Sequence, residues 1–234
     1  MADNVLFLGW NRAVVGSQRF DFWHCTGGAS QRQEADPEPP QLGSVLARRV
    51  LRTRWVAPGD RTLVEDTREL TVWRPAAAEL VLDLLVTLQA TTAPVRLEAD
   101  PHHSGVHVRL DSAIEHSPAR YLHAGPAAAL GDDAWRGGTA VMATCTLQGE
   151  PVAVALLTDP ADPAPRLWSA RPYGRFGVTW ATTLTPGAPE RHRFRLLLAR
   201  GPAVTARDQA WLEQQVRAFG TPVHTSLRAD PSAR

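Results

Sequence analysis

Lysine is absent from the chain: all 25 of its basic residues are arginine, set against 24 acidic ones over 234 positions, for a formal charge of +1. Without lysine there is no Schiff-base nucleophile, and an all-arginine basic set weakens the inference that any one arginine serves bidentate anion binding. With the arginines scattered and the charge near neutral, no one-sided positive field is built, so nucleic acid is not an expected partner. Cysteine is scarce too, with Cys25 and Cys145 alone. Two thiols in a chain without an export signal are expected to stay reduced. The start "MADNVLFLGWNR" shows no basic leader, and its apolar run is too short for a signal peptide. The longest apolar stretch, "AAAELVLDLLVTLQA", is broken by Glu79 and Asp83 and falls short of a membrane span. The expectation is a cytoplasmic protein with no membrane association. P-loop, dinucleotide glycine fingerprint, nucleophile elbow, paired CxxC and HExxH are all missing, which removes the commonest motif-borne chemistries.

What is present reads mostly as strand. Leu80, Leu82, Leu84, Val86 and Leu88 alternate with a mixed set that includes Asp83, Thr87 and Gln89, the pattern of a long strand with one buried face. Val45 to Val56, Leu63 to Trp73, Val106 to Leu110, Val141 to Leu147, Val152 to Leu157, Phe176 to Leu184 and His192 to Leu198 read likewise, separated by "APGD", "TLQGEP" and "TPGAPE". This succession predicts an all-β, antiparallel β-sandwich, and 44% hydrophobic content suits one core. One C-terminal helix is expected, with Thr205 and Asp208 as capping pair, Trp211, Leu212, Gln215, Val216 and Phe219 on one side, and Gly220 as stop. Residues 1–220 are expected to form a single domain and 221–234 a flexible tail. The Pro- and Glu-bearing segment Thr26 to Gly43 is expected to be loose.

The stretch "DPHHSGVHVRL", Asp100 to Leu110, bears most on function. At a strand's two-residue period it places His103, Gly105, His107 and Arg109 on one face and Val106, Val108 and Leu110 on the other. Four extended residues span roughly 13 Å, too far for two ligands of one zinc or copper, so no metal is expected without a bend at Ser104-Gly105 or the use of His102. Separated imidazoles suit proton transfer and hydrogen bonding along a cleft floor. Gly105 marks a bulge or the close approach of another backbone or a ligand. The residues alone leave a second reading open, in which this face simply meets solvent. Glu115, His116 and His123 follow in an expected loop.

Two further stretches, "LGWNRAVVGSQRFDFWHCTGG" and "RLWSARPYGRFG", combine aromatics, Arg and Gly in the mixture that lines small-molecule clefts. Their Trp10, Phe22, Trp23, Trp168, Tyr173 and Phe176 can equally be core or sheet-end packing.

The order "GWNR", "DFWHCTG", Trp55, "VEDTREL", "DPHHSGVHVR", Trp135, "VMATCTLQGEPVAVALLTDPADP", "RPYGRFG" and "RFRLLLARGPAVT" resembles the PmoA-like domain family of unknown function, from about Leu6 to Thr205. The resemblance implies a galactose-mutarotase-like supersandwich. It also implies a histidine-bearing concave sheet, with His103 and His107 on the family's "PxHxGxHxR" pattern and His24, Arg109, Tyr173 and Arg175 on its other polar motif positions. The methane-oxygenase label attached to that family is set aside, since no segment here spans a bilayer. Family members carry a His-rich "DHxHHRG" segment before the "GW" motif, where this sequence has only "MADNVLFL". The chain therefore reads as an N-terminally shortened member, with a sheet edge that a homodimer would cover.

Three functions follow as expectations. The first is an enzyme acting by proton transfer on a sugar-like or polyhydroxylated small molecule, as isomerase, lyase or hydrolase, without cofactor. Its catalytic residues are His103, His107 and Arg109, and its substrate-binding residues Trp10, Trp23, His24, Trp135, Tyr173 and Arg175. The second is a cofactor-free cyclase or tailoring enzyme of secondary metabolism. The third is a non-catalytic carbohydrate-binding module.

Overall fold

The computed structural model describes residues 6–74, 79–110, 119–162, 165–201, 204 and 207–220. In chain order the first strands are β1 (Leu6–Trp10), β2 (Ala13–Val15), β3 (Gln18–Phe20), β4 (Ser30–Gln33), β5 (Gln41–Leu42), β6 (Leu46–Ala57), β7 (Arg61–Trp73) and β8 (Glu79–Ala90). There follow β9 (Val95–Leu97), β10 (Ser104–Arg109), β11 (Arg120–Ala124), β12 (Ala127–Ala129), β13 (Ala134–Gly137) and β14 (Ala140–Leu147). The chain continues with β15 (Glu150–Thr158), β16 (Leu167–Ala170), β17 (Arg175–Thr179), β18 (Thr182–Leu184), β19 (Glu190–Arg200) and one helix, α1 (Gln209–Gly220). All the pairings are antiparallel among the described strands, in a six-stranded sheet β1-β10-β17-β16-β13-β12, a nine-stranded sheet β11-β14-β15-β19-β8-β7-β6-β4 with β5 also on β6, and a four-stranded sheet β18-β9-β2-β3. The protein is an all-β antiparallel sandwich with one C-terminal helix. No helix among the described residues is long and apolar enough to cross a membrane.

Alternation decides which face each strand buries. Leu84, Val86, Leu88 and Ala90 of β8 and Val64 of β7 meet Leu8, Val106, Val108, Phe176, Val178 and Trp168 of the six-stranded sheet in one core. In β15 the run is apolar on both sides, and both sides are covered: Val152, Val154 and Leu156 face that core, while Ala153, Ala155 and Leu157 face α1 through Leu212 and Phe219. The helix begins at Asp208, whose Oδ1 accepts the Trp211 N–H at 2.9 Å. Thr205, the expected partner of Asp208 in the cap, lies outside the described residues, as does the tail 221–234.

Two expectations change. The segment Thr26 to Gly43 is not simply loose, because β4 and β5 pair with β6. Its acidic residues, which read as loop signals, meet arginines of β6: Glu34 with Arg54, Asp36 with Arg49 and Glu38 with Arg48. Phe176 to Leu184 is two strands in different sheets, with Trp180 turned fully into the core between them.

Gly105 is where β10 meets β17 most closely. Its φ is +89°, and a Cβ there would sit 2.0 Å from the Val178 carbonyl oxygen. Gly149, also at positive φ, has open space around it. Chemical denaturation should therefore show Gly105→Ala losing about 3 kcal/mol or more, from backbone strain plus overlap. Gly149→Ala should lose only about 1 kcal/mol. Equal losses would mean that the close approach is not what requires glycine.

Candidate functional site

The site is assembled on the outer face of the six-stranded sheet by a turn that starts at Asp100. Asp100 Oδ1 accepts the His102 N–H at 2.9 Å, and Oδ2 accepts from Asn11 Nδ2 at 2.9 Å. The same Oδ2 faces Arg12 at 3.8 Å and His103 Nδ1 at 3.6 Å. Ser104 Oγ accepts the Asp100 N–H at 2.7 Å, donates to the Asp100 carbonyl at 2.8 Å, and lies 2.6 Å from Thr179 Oγ1. Further along, Ser169 Oγ donates to the Pro101 carbonyl, tying the turn to β16. Burial works against the Asp100 carboxylate, but the His102 N–H, the Asn11 amide and the charges of His103 and Arg12 outweigh it and hold its pKa below the usual range.

A second turn, between β3 and β4, presents His24. Asp21 Oδ1 accepts the N–H groups of Trp23 and His24 at 3.0 and 2.8 Å, and its Oδ2 meets His24 Nδ1 at 2.8 Å. The His24 and His103 rings face each other with centroids 5.1 Å apart. Trp23 stands edge-on to both His103, at 6.2 Å, and His107, at 4.9 Å. Tyr173, in the β16–β17 turn, carries the guanidinium of Arg175 at 5.7 Å and that of Arg109 at 5.9 Å from its ring centre. His102 Nε2 lies 3.6 Å from Asp133, which also holds Arg171. Burial, and then Arg175 and His24 against the opposing Asp100, pull the His103 pKa below 6.5. His103 is therefore a neutral imidazole at pH 7. Where Nδ1 faces a carboxylate, Nε2 is the nitrogen left for a substrate.

The structure thus gathers His103, His24 and Trp23 in one cluster and Tyr173, Arg175 and Arg109 in another on the same sheet, and separates three residues the sequence placed with them. Trp10 is fully buried between Trp55 and Trp180, because its register with Leu8 turns it into the core. Trp135 pairs with Trp168 and packs against the core, with no ring contact to His24 or His103 among the described residues. His107 shares the outer face but is 0% exposed. It lies under Trp23 and beside Phe7, over Gly177, where a Cβ would come within 2.3 Å of its ring. Its Nε2 donates to the Ser104 carbonyl at 3.0 Å, and Nδ1 has no partner. Burial first, then Arg175, lower its pKa to about 3. A ring so covered and so firmly neutral holds Trp23 in place and does not exchange protons with a substrate, which corrects the role expected of it. His103, in turn, belongs to the turn and not to the strand, since β10 begins at Ser104. Glu115 and His116 lie outside the described residues, and His123 packs on Trp135.

Asp21 and Asp100 were missed as partners of the histidines, and the signal was available. Both "DFWH" and "DPHH" place an aspartate three residues before a histidine, the spacing at which a turn lets the carboxylate hold the intervening N–H and reach the ring. Among the described residues no group of three His, Cys, Asp or Glu is placed to hold a metal ion.

A family profile aligns with residues 6–212, nearly the whole chain. The chain belongs to DUF6807, a family of unknown function. No curated protein matches this DUF6807 chain. Among solved structures it is similar to a protein from the human microbiome titled "Putative kojibiose phosphorylase", at 7% identity and a TM-score of 0.44. The likeness covers 89% of this chain and 24% of that one, so the DUF6807 chain spans about a quarter of that protein's length.

The buried imidazole makes a stability prediction. In the unfolded chain His107 titrates near 6.5 and in the fold near 3, so between these values the unfolded state binds a proton the native state refuses. Its contribution is whole above pH 6.5 and is lost as pH falls toward 3, by on the order of a few kcal/mol. Urea midpoints from pH 7 to 4 should fall less steeply for His107→Gln than for the wild type. Parallel curves would show that His107 is not buried neutral.

Proposed function

We propose that this chain is a small-molecule enzyme in which an imidazole moves a proton on a sugar-like, polyhydroxylated metabolite, in an isomerase, lyase or hydrolase reaction. One observation carries this reading: two imidazoles, each backed by its own aspartate, face one another with ring centres 5.1 Å apart. Two such groups can serve as base and acid on opposite sides of one carbon or one glycosidic oxygen. Each carboxylate faces Nδ1 of its own ring, which leaves Nε2 of both rings for a substrate. Trp23 offers an aromatic edge and face to the C–H side of a sugar ring, and Arg175 and Tyr173 supply donors for its oxygens. His103 is the preferred base, since burial keeps it neutral. Arg109 and Arg175 orient substrate, and His107 acts on it only through Trp23.

The test is a panel of aldoses, ketoses and their acid derivatives incubated with the protein in D2O, followed by proton NMR for C–H exchange or product. Removing a general base costs on the order of 100-fold or more, so His103→Gln should lose that much turnover while its substrate affinity, measured by calorimetry, changes little. The acid limb of kcat/KM should fall below pH 6.5, because protonation of a base with a lowered pKa sets it in later as pH drops. A wild type that binds a sugar and turns over none of the panel would make the chain a binding module. Turnover untouched in His103→Gln would remove His103 from the chemistry.

A further inference from the structure

Arg109 and Arg175 are direct cross-strand partners on the outer face, between β10 and β17. Like charges so opposed repel. Several arginines of the chain meet carboxylates: Arg48 lies between Glu38 and Glu69, Arg68 meets the buried Asp66, and Arg195 meets Asp83 at 2.6 Å. Arg109 and Arg175 have no such ion pair among the described residues. Among the described residues their recorded partner is the Tyr173 ring that both approach, and Nε of Arg175 is buried with no hydrogen-bond acceptor. Burial lowers the pKa of Arg175, and the nearby Arg171 and Arg109 add to this against Tyr173 and Asp100.

From this geometry we infer that the substrate is a sugar acid, its carboxylate clamped by the guanidinium groups of Arg109 and Arg175 at the edge of Tyr173. A carboxylate gives the orphaned Nε an acceptor, and paired planar forks suit its planar shape. A dianionic phosphate would bring a second charge toward Asp100 and Asp133. The inference deepens the function proposed above and rests on it. In this inference the C–H next to the clamped carboxylate is the one that His103 meets. When His103 takes that proton, the C–H electron pair spreads into the carboxylate, and the two guanidinium groups stabilise the charge that gathers there. Return of a proton to the same carbon completes the exchange.

Calorimetric titration with sodium glucuronate and galacturonate, against glucose, galactose and galactose 6-phosphate, tests this on the full chain. The uronates should bind at least tenfold more tightly than the neutral sugars. Arg109→Gln and Arg175→Gln should each weaken uronate binding at least tenfold more than they weaken neutral-sugar binding, with folding checked by near-UV circular dichroism. His103→Gln should keep the preference and lose C–H exchange. Equal affinity for acidic and neutral sugars, binding of none of them, or a preference that survives both arginine variants overturns the inference. Tighter binding of the phosphate than of the uronates overturns the assignment to a carboxylate. The two proposals fail separately. Exchange on neutral sugars that depends on His103, without any uronate preference, keeps the enzyme and rejects the acid. A uronate preference without exchange does the reverse.

Discussion

The Asp100 carboxylate meets four neighbours on the outer face, drawn from two separate stretches of chain. It terminates the His102 N–H and the Asn11 amide, and faces Arg12 and the His103 ring. Asn11 and Arg12 follow β1, whereas His102 and His103 precede β10, so one side chain ties together the chain ends of two paired strands where the site sits. The hydrogen bonds to it are charge-assisted and partly shielded from water, the condition under which such bonds are worth most. Ser104 repeats the closure from below by holding both the N–H and the carbonyl of the same aspartate and reaching Thr179 on the far side of β17. The position of His103 is therefore set by backbone and side-chain bonds that do not involve its own ring.

The sequence made the sandwich legible because its strands are long and their alternation clean. Leu84, Val86 and Leu88 are buried as the period requires, and β6, β7, β8, β14, β15 and β19 fall within one to three residues of where the pattern put them. The short strands β4 and β5 were not legible, since their residues are polar and their pairing is held by ion pairs that only the fold brings together. For the site, the strand period failed at one residue. A positive φ at Gly105 breaks the extended geometry that would have kept His103 and His107 on one line. The sequence also could not tell Trp23 from Trp10. Both are tryptophans in one aromatic-rich stretch, and only the register of β1, which turns Trp10 inward, separates a wall of the site from a piece of core.

A second cluster of the same chemistry shows why accessibility decides. Asp162 bonds His192 Nδ1 at 2.7 Å, Glu190 faces Nε2 of the same ring at 3.5 Å, and Arg166 joins Asp162. Here the imidazole has a carboxylate at each nitrogen, and the Trp180 ring covers it at 4.3 Å while Arg166 stacks on the same indole at 4.7 Å. His192 and Arg166 are 6% and 5% exposed. With no nitrogen to spare and no opening, this group is a buried ionic tie between β19 and the chain leading into β16, whose net worth is small because desolvation offsets attraction. The Asp21–His24 and Asp100–His103 pairs differ in the one respect that matters for chemistry, a second nitrogen that no carboxylate occupies among the described residues.

His107 links these two kinds of histidine. Its Nδ1 is buried without a partner, which costs about 1–3 kcal/mol relative to a satisfied group. An aliphatic side chain would avoid that cost and still fill the hollow over Gly177. What the imidazole adds is a flat ring for the edge of Trp23 and an N–H for the Ser104 carbonyl, the residue at which turn becomes strand. Both contacts act on the two elements that carry His24 and His103. Gly177 makes them available by leaving the ring room to lie flat on the sheet, and Gly105 by letting β10 come close enough to β17 for that ring to be covered. The glycines that weaken the strands thus set the depth at which His107 sits, and that depth sets the height of Trp23 beside the exposed imidazoles.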